Sequence, residues 1–224
     1  MIDSIQTFGD SFLYGSDLSD CLNNKIQDHT AYSRKTWPAL IAKDLNLKYD
    51  CHARSGRGNQ SIAVTIFQLA KQNSLNIINW TWIDRFDYNF TQKYWAETIL
   101  PGDQNEISKL YYKHIHRELD DKIRNQNIVY SVIQYLKTNN MPFIMTYMDN
   151  LLIDNTIIGL EHIASEIIDN LQTFSDNQTF LEWSRANNYP ESQGWHPLEQ
   201  AHKEAANHWQ PIYEKEISKH ITTK

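Results

Sequence analysis

The sequence SIQTFGDS at residues 4–11 decides the fold prediction, because an apolar run here ends in a turn that carries a reactive side chain. Residues 4–8 are typical of a short strand, and Gly9 and Asp10 form a turn that leads to Ser11. In an open parallel sheet, ligands bind beyond the carboxyl ends of the strands. The sequence therefore indicates a candidate site at Ser11. The alternative is an ordinary turn followed by a helix cap.

The segments that follow alternate between strand-like and helical patterns. Strands are predicted at 47–53, 75–82 and 142–148, and helices at 36–46, 59–70, 105–139 and 197–219, the third of these being one long helix or two consecutive ones. Two of the strands lack strict alternation of apolar and polar residues, which is typical of strands buried on both faces. This order predicts an α/β protein, a three-layer α/β/α sandwich around a mainly parallel sheet.

Length and composition favour a single domain over residues 1–224. Hydrophobic residues make up 41% of the chain and charged residues 21%, which is enough apolar material for a core. The net charge is −6 and no segment concentrates Lys and Arg, so the prediction is a protein that does not bind nucleic acid. The sequence does not indicate an oligomeric state.

Several other classes are excluded by simple patterns. The N-terminus lacks the features of a signal peptide and no apolar run is long enough to span a membrane, so we expect a cytoplasmic protein. Cys21 and Cys51 are too few for a disulfide framework. His196, His202 and His208 recur every six residues and would face different sides of a helix, so we expect no metal site. No cofactor is predicted.

A second candidate group lies near the C-terminus, in the sequence GWHPLEQAH. His196 precedes a proline that is predicted to start the last helix. An imidazole facing a serine at a strand end has the chemistry of a serine hydrolase, because it can take up and return the hydroxyl proton. The alternative for a lone histidine is a surface or capping role.

Together, FGDSFLYGSDL and GWHPLEQAH resemble the first and last sequence blocks of the SGNH (GDSL) hydrolase superfamily, in order and in spacing. The resemblance implies a flavodoxin-like sandwich, with Ser11 as nucleophile and His196 as base. It also implies an oxyanion hole formed by the Ser11 N–H, a glycine N–H and an asparagine side chain. Gly56 in SGRGN is similar to the glycine of the second block, and Gly58 is the alternative.

The third block departs from the family pattern, because INWTWIDR contains no Gly-x-Asn-Asp. Asn59 and Asn79 are candidates for the missing amide, and Asn59 is preferred because it lies beside the glycine loop. Its alternative role is to cap the helix that starts there. The Gly-x-Ser-x-Gly elbow of α/β-hydrolases is absent, which disfavours that other serine hydrolase fold.

Four further residues, Asp10, Thr81, Arg85 and Gln193, are predicted to bind substrate or to support the site. Asp10 precedes the nucleophile, Thr81 lies at the end of the predicted strand at 75–82, and Arg85 follows that strand. The planar guanidinium of Arg85 could hold a carboxylate or phosphate of a substrate, and the alternative is a surface ion pair with Asp84 or Asp87. Nearby aromatic residues could line a sugar or acyl pocket or belong to the core; they are Trp80, Trp82, Tyr88, Tyr94 and Trp95.

Gln193 occupies the position, three residues before the histidine, where the family has an acid. The site could then be a Ser-His dyad, could use Glu191, Asp149 or a backbone carbonyl, or could be a weak enzyme. The predicted function is a serine esterase that cleaves a small-molecule or saccharide ester, for example an O-acetyl group on a carbohydrate. The alternatives are acyl transfer and a non-catalytic or weakly active ligand-binding or carbohydrate-binding module on the same fold.

Overall fold

The computed structural model of the protein describes residues 2–21, 31–90 and 96–221. The six strands in this part of the chain are β1 Ser4–Phe8, β2 Lys48–Cys51, β3 Ser74–Trp80, β4 Phe86–Tyr88, β5 Glu97–Ile99 and β6 Phe143–Tyr147. Four of them form a parallel sheet in the order β2-β1-β3-β6, and β4 pairs with β5 in a separate antiparallel pair. Every residue of β1 and β3 is buried, as expected for central strands covered on both faces.

Helices cover both faces of this sheet. They are α1 Ser11–Tyr14, α2 Trp37–Asp44, α3 Asn59–Leu69, α4 Glu106–His114, α5 Glu118–Thr138, α6 Glu161–Asn170, α7 Phe180–Ala186 and α8 Glu199–Ile221. On one face α2 packs on α8, with Trp37 and Trp209 in ring contact at 5.9 Å. On the other face α5 lies between α3 and α6. Two apolar cores result, one on each side of the sheet. The predicted three-layer α/β/α sandwich is confirmed.

The register of the sheet places the ends of β1 and β3 side by side. Phe8 pairs with Ile78, so Gly9 comes to lie against Asn79 at the carboxyl edge. A Cβ atom on Gly9 would lie 3.0 Å from the backbone oxygen of Asn79, which explains the absence of a side chain at this position. The turn after β1 can therefore pass close to β3 and carry Ser11 along the edge of the sheet.

The structure also refines the predicted helices. The stretch 105–139 contains two helices, α4 and α5, separated at residues 115–117. The prediction that a proline starts the last helix was wrong: Pro197 forms an isolated bridge with Glu191, and α8 begins at Glu199. The helices α6 and α7 and the pair β4–β5 were not predicted. Among the described residues, no helix combines the length and the apolar character needed to cross a bilayer.

Candidate active site

Ser11 occupies the first position of α1, directly after the capping residue Asp10. Asp10 is fully buried, and its Oδ1 accepts a hydrogen bond from Phe12 N at 3.1 Å. The first N–H groups of a helix have no partner within the helix, so the Ser11 N–H is a donor that can bind a developing negative charge. Ser11 is 6% exposed, and its hydroxyl lies at the carboxyl edge of the sheet.

A tight turn after α1 returns the chain toward Ser11. The N–H groups of Gly15 and Ser16 both donate to Ser11 O, at 2.9 and 3.0 Å. Gly15 has φ +78°, and a Cβ atom there would lie 2.4 Å from Ser33 Cβ, so only glycine fits. Asp17 follows with φ +69°. This turn brings the Asp17 carboxylate close to Ser11, which lies six positions earlier in the sequence.

His196 lies between these two side chains. Its Nε2 is 2.9 Å from Ser11 Oγ, and its Nδ1 is 2.7 Å from Asp17 Oδ2. The histidine and aspartate side chains are 19% and 28% exposed, so both are half-buried. The three groups have the order of a serine hydrolase triad, in which the acid fixes the imidazole and the imidazole faces the hydroxyl.

The loop before His196 is organised around Ser192. Ser192 Oγ donates to Asp17 Oδ2 at 2.7 Å and accepts from the N–H groups of Gly194 and His196 at 3.0 and 3.3 Å. Its backbone N–H donates to His196 O at 2.9 Å. On the other side, the Phe12 ring contacts the imidazole edge-on at 5.2 Å. The position of His196 is therefore fixed by contacts to both ends of the chain.

The residues considered as sources of an acid lie elsewhere. Gln193 is exposed, and Glu191 forms a bidentate ion pair with Arg185. Asp149 accepts hydrogen bonds from Ile83 N and Leu151 N. The structure thus places Asp17 against His196, a residue that the sequence analysis did not consider. The available signal was weak: Asp17 is one of two aspartates, with Asp20, in the short segment after the nucleophile.

Thr81 and Arg85 both contact Asp10 from the segment after β3. Thr81 Oγ1 donates to Asp10 Oδ2 at 2.8 Å, and Arg85 Nη1 lies 3.5 Å from the same oxygen. Arg85 Nη1 also donates to Arg57 O at 3.0 Å, and its guanidinium covers the ring of Trp82 at 4.7 Å. The expected alternative of an ion pair with Asp84 or Asp87 was wrong, because the buried Asp10 offers a closer partner.

Asn59 does not cap its helix with its side chain, and Gly58 occupies the N-cap position. Asn59 Nδ2 donates to Thr81 O at 3.0 Å and to Asn125 Oδ1 at 2.8 Å, while its Oδ1 accepts from Thr81 N at 2.8 Å. Both amide protons are therefore engaged in joining α3 to β3 and α5. This arrangement leaves the Asn59 side chain no free donor for an oxyanion.

The capping function at α3 is performed by another residue, Asp87 on β4. Its carboxylate accepts from Gly58 N at 3.0 Å, Ser61 N at 2.7 Å and Thr98 Oγ1 at 2.6 Å. Burial raises the pKa of Asp87, and these three hydrogen bonds oppose the shift. Asp87 thus ties the β4–β5 pair to the start of α3, beside the loop that carries Gly56.

Gly56 lies in this loop with φ +76°, a conformation that favours glycine. The loop is held next to the candidate nucleophile by two contacts. Arg54 N donates to Gly9 O at 3.0 Å, and the hydroxyl groups of Ser55 and Ser16 are 2.5 Å apart. These contacts bring the predicted oxyanion glycine to the same edge of the sheet as Ser11.

A cleft of 330 Å³ borders this edge; its lining residues are Trp82, Asp84, Arg85, Leu100 and Pro101. Of the aromatic residues proposed for a pocket, Trp82 lines the cleft, whereas Trp80 is fully buried in the core. Tyr88 lies on β4 and is half-buried. Tyr94 and Trp95 are outside the described residues.

Comparison with known proteins identifies structures with a similar fold but no protein of similar sequence. No protein-family model and no curated protein sequence matches the chain. Among solved structures, a carbohydrate esterase family 2 enzyme with a carbohydrate binding domain, from Corynascus thermopiles (Myceliophthora fergusii), aligns with TM-score 0.55 and 13% identity. The alignment covers 96% of this chain and 66% of that one.

Two further structures align over nearly their whole length. The psychrotrophic esterase EstA from Pseudoalteromonas sp. gives TM-score 0.52 at 9% identity, covering 96% of this chain and 99% of the other. TesA gives TM-score 0.50 at 11% identity, covering 95% and 99%. At sequence identities this low, the similarity to these structures shows a shared fold only. This chain has the α/β/α fold of the SGNH (GDSL) hydrolases, as the sequence blocks around Ser11 and His196 predict.

Proposed function

We propose that this protein is a serine hydrolase that cleaves ester bonds, with Ser11 as nucleophile and His196 as general base. The single observation that carries the proposal is the 2.9 Å contact between Ser11 Oγ and His196 Nε2 at the start of a helix. A hydroxyl is a weak nucleophile at its ordinary pKa, and an adjacent imidazole activates it by accepting its proton. The esterases with the same fold support this reading.

The proposed reaction proceeds through an acyl-enzyme. Ser11 Oγ attacks the acyl carbon while its proton passes to His196 Nε2, and the carbonyl oxygen becomes an oxyanion. The imidazolium then returns the proton to the leaving alcohol as the C–O bond breaks. In the second half, His196 takes a proton from water, the hydroxide attacks the acyl carbon, and Ser11 regains its proton.

Asp17 acts in this scheme as the acid of the triad. Its Oδ2 accepts a hydrogen bond from His196 Nδ1, which leaves Nε2 free to take the proton from Ser11. The carboxylate also stabilises the imidazolium that forms during attack. Ser192 donates to the same oxygen at 2.7 Å and so fixes the direction of the carboxylate.

The oxyanion is proposed to bind the N–H groups of Ser11 and Gly56. The Ser11 N–H is at the first position of α1, where an N–H group has no partner within the helix and can donate to the oxyanion. Gly56 lies on the loop that Ser55 and Arg54 hold against the same edge. The Asn59 amide has no place in this hole, because Thr81 and Asn125 occupy both of its protons.

Reaction with a fluorophosphonate probe tests the proposal directly. Intact-mass measurement is expected to show one covalent adduct on the wild type and none on Ser11→Ala, with His196→Ala reacting at least about a hundredfold more slowly. Circular dichroism would establish that all three proteins are folded. A folded wild type that does not react would overturn the hydrolase assignment and favour a ligand-binding module on this fold.

A further inference from the structure

The proposed oxyanion hole contains two backbone donors, and neither candidate asparagine adds a side-chain donor to them. Asn59 uses both of its amide protons within the protein. The Nδ2 atom of Asn79 is buried without a hydrogen-bond partner in the described part of the chain, and its Oδ1 accepts from Thr146 Oγ1 at 2.7 Å. A buried amide cannot reach a substrate. A side-chain donor to the oxyanion must therefore come from another residue.

Arg85 contacts both segments that carry the backbone donors. Its Nη1 lies 3.5 Å from Asp10 Oδ2, and Asp10 directly precedes Ser11 in the chain. The same Nη1 donates to Arg57 O at 3.0 Å, and Arg57 directly follows Gly56. The guanidinium is thus in contact with the chain neighbours of both proposed oxyanion donors.

The Arg85 guanidinium also has donors that the described part of the chain does not use. It carries five N–H groups, and its one hydrogen bond to these residues is that of Nη1. The side chain is 14% exposed and lines the 330 Å³ cleft together with Leu100. Leu100 Cδ1 lies 3.7 Å from the position that a Cβ atom on Gly56 would occupy, so this cleft borders Gly56. Arg85 therefore presents uncommitted donors beside the oxyanion hole.

We infer that Arg85 is the third donor of the oxyanion hole and takes the place of the missing asparagine amide. The inference rests on the proposed ester hydrolysis and adds a catalytic residue to it. As Ser11 Oγ bonds to the acyl carbon, its proton passes to His196 and the π electron pair of the carbonyl moves to the oxygen. Arg85 donates an N–H to this oxyanion alongside the N–H groups of Ser11 and Gly56. The contact weakens when the carbonyl forms again and the alcohol leaves.

The charge of Asp10 favours a cationic donor at this place. Asp10 is fully buried directly before the nucleophile, so its carboxylate would repel an oxyanion that forms at Ser11. Thr81 Oγ1 donates to Asp10 Oδ2, and the Arg85 guanidinium faces the same oxygen. A neutral amide would leave the repulsion in place. A guanidinium offsets it and donates a charge-assisted hydrogen bond at the same time.

The guanidinium is held in position before a substrate arrives. It covers the ring of Trp82 at 4.7 Å, in addition to its contacts with Asp10 and Arg57. The Trp82 ring is in turn 5.8 Å from the ring of Phe12. Donors that are fixed in advance need no reorganisation when charge develops, which is why they are effective in oxyanion holes. Arg85 meets this condition, unlike a mobile surface arginine.

The main test compares two proteins that differ only at residue 85. Asp10→Asn keeps an acceptor for Phe12 N, and adding Arg85→Met to it removes the guanidinium without leaving a buried charge unpaired. With p-nitrophenyl acetate, the double variant is expected to have a kcat about 10²–10³-fold below that of Asp10→Asn, the usual loss for one oxyanion donor. Its KM should stay within about threefold. Urea unfolding shows whether both proteins are folded.

A second measurement separates a donor to the oxyanion from a residue that only supports the fold. Trifluoroacetophenone forms a tetrahedral adduct with an activated serine, and the oxygen of this adduct is negatively charged. Its inhibition constant is expected to rise by the same factor by which Arg85→Met lowers kcat/KM. Binding of the acetate ester to the Ser11→Ala protein should not change when Arg85→Met is added, because the ground state carries no oxyanion.

The matched control is Arg34→Met, which removes an exposed arginine and should leave kcat and ketone binding unchanged. An unchanged kcat in the double variant, or a lower kcat with unchanged ketone binding, would overturn the inference. A rise in KM alone would also overturn it and would assign Arg85 to a carboxylate or phosphate of the substrate. In each of these cases fluorophosphonate labelling of the wild type leaves the hydrolase proposal standing. A wild type without labelling or hydrolysis would refute both proposals.

Discussion

Asp17 Oδ2 lies 2.7 Å from His196 Nδ1, although the two residues are 179 positions apart in the chain. Asp17 and Ser11 belong to one short segment, and the Gly15 turn between them lets both reach the same imidazole. The carboxylate thus comes from the first sequence block, whereas the resembled family places it three residues before the histidine. The consequence for activity can be measured.

Asp17→Asn is expected to lower kcat for ester hydrolysis by up to about 10⁴, the loss seen in serine proteases when an amide replaces this acid. The amide no longer stabilises the imidazolium and favours the wrong tautomer. The measurement is steady-state hydrolysis of an acetyl ester, with thermal unfolding to show that the fold is kept. Gln193→Ala is the matched control and should change kcat little, since Gln193 is exposed. Equal kcat for Asp17→Asn and the wild type would contradict the triad.

Asn59→Ala is expected to affect stability rather than the oxyanion. The substitution leaves the N–H and carbonyl groups of Thr81 and the Asn125 side chain without their partner, at a cost of about 1–3 kcal/mol in the free energy of unfolding. Urea unfolding measures the loss, and kcat below the unfolding transition measures catalysis. An unchanged unfolding free energy with kcat reduced more than about a hundredfold would instead assign Asn59 to the oxyanion hole.

Gly15→Ala should destabilise the protein far more than the same change at Gly159. Both glycines have positive φ, which alone costs about 1–2 kcal/mol for alanine. At Gly15 the new Cβ would also lie 2.4 Å from Ser33 Cβ, whereas at Gly159 nothing lies within 4 Å. The difference between the unfolding free energies of the two variants, measured in urea, gives the cost of the steric clash at Gly15. Equal losses would show that the turn leading to Asp17 can relax.

His202 should make the protein sensitive to acid. Burial lowers the pKa of His202 to about 3, and Nδ1 accepts a hydrogen bond from Trp37 N at 3.2 Å. The unfolded chain therefore binds a proton below about pH 6.5 that the folded protein does not bind until about pH 3, so stability falls as the pH falls through this window. Protonation of this histidine in the unfolded chain lowers the free energy of unfolding by about 2 kcal/mol between pH 6.5 and pH 5.

The matched variant for this prediction is His202→Gln, which keeps an acceptor for Trp37 N but does not titrate in this range. Urea unfolding at pH 7 and pH 5 should show a smaller loss for the variant than for the wild type. The same pH dependence in both proteins would assign the acid sensitivity to other groups.

The elements with strong local patterns were predictable from sequence. The strand at Ser4–Phe8 is marked by the turn residues that follow it, and the helix that starts at Asn59 has apolar residues at helical spacing. By contrast, β4 and β5 have only three residues each, too few for a period to emerge. Asp87 of β4 binds the N-terminus of α3, a contact between distant segments that no local sequence pattern encodes.

The residues of the candidate site likewise fall into those that a local motif indicates and those that only the folded structure brings together. Ser11 and His196 follow from motifs next to predicted elements, and the structure brings them together. Asp17 could not be found by spacing, because its contact to His196 depends on the left-handed turn at Gly15 and on the loop around Ser192. The partner of Arg85 was likewise missed, since a fully buried aspartate at a helix cap, Asp10, cannot be told from an exposed one by sequence.

The contacts of the His196 imidazole join residues from the start and the end of the described chain, so the members of the triad are synthesised at different times. All four strands of the parallel sheet, the serine and the aspartate emerge from the ribosome before His196 does. The four strands of the sheet are therefore synthesised before the base is available. We expect the docking of α8 against α2, through Trp209 and Trp37, to be the step that brings the histidine to the serine and the aspartate.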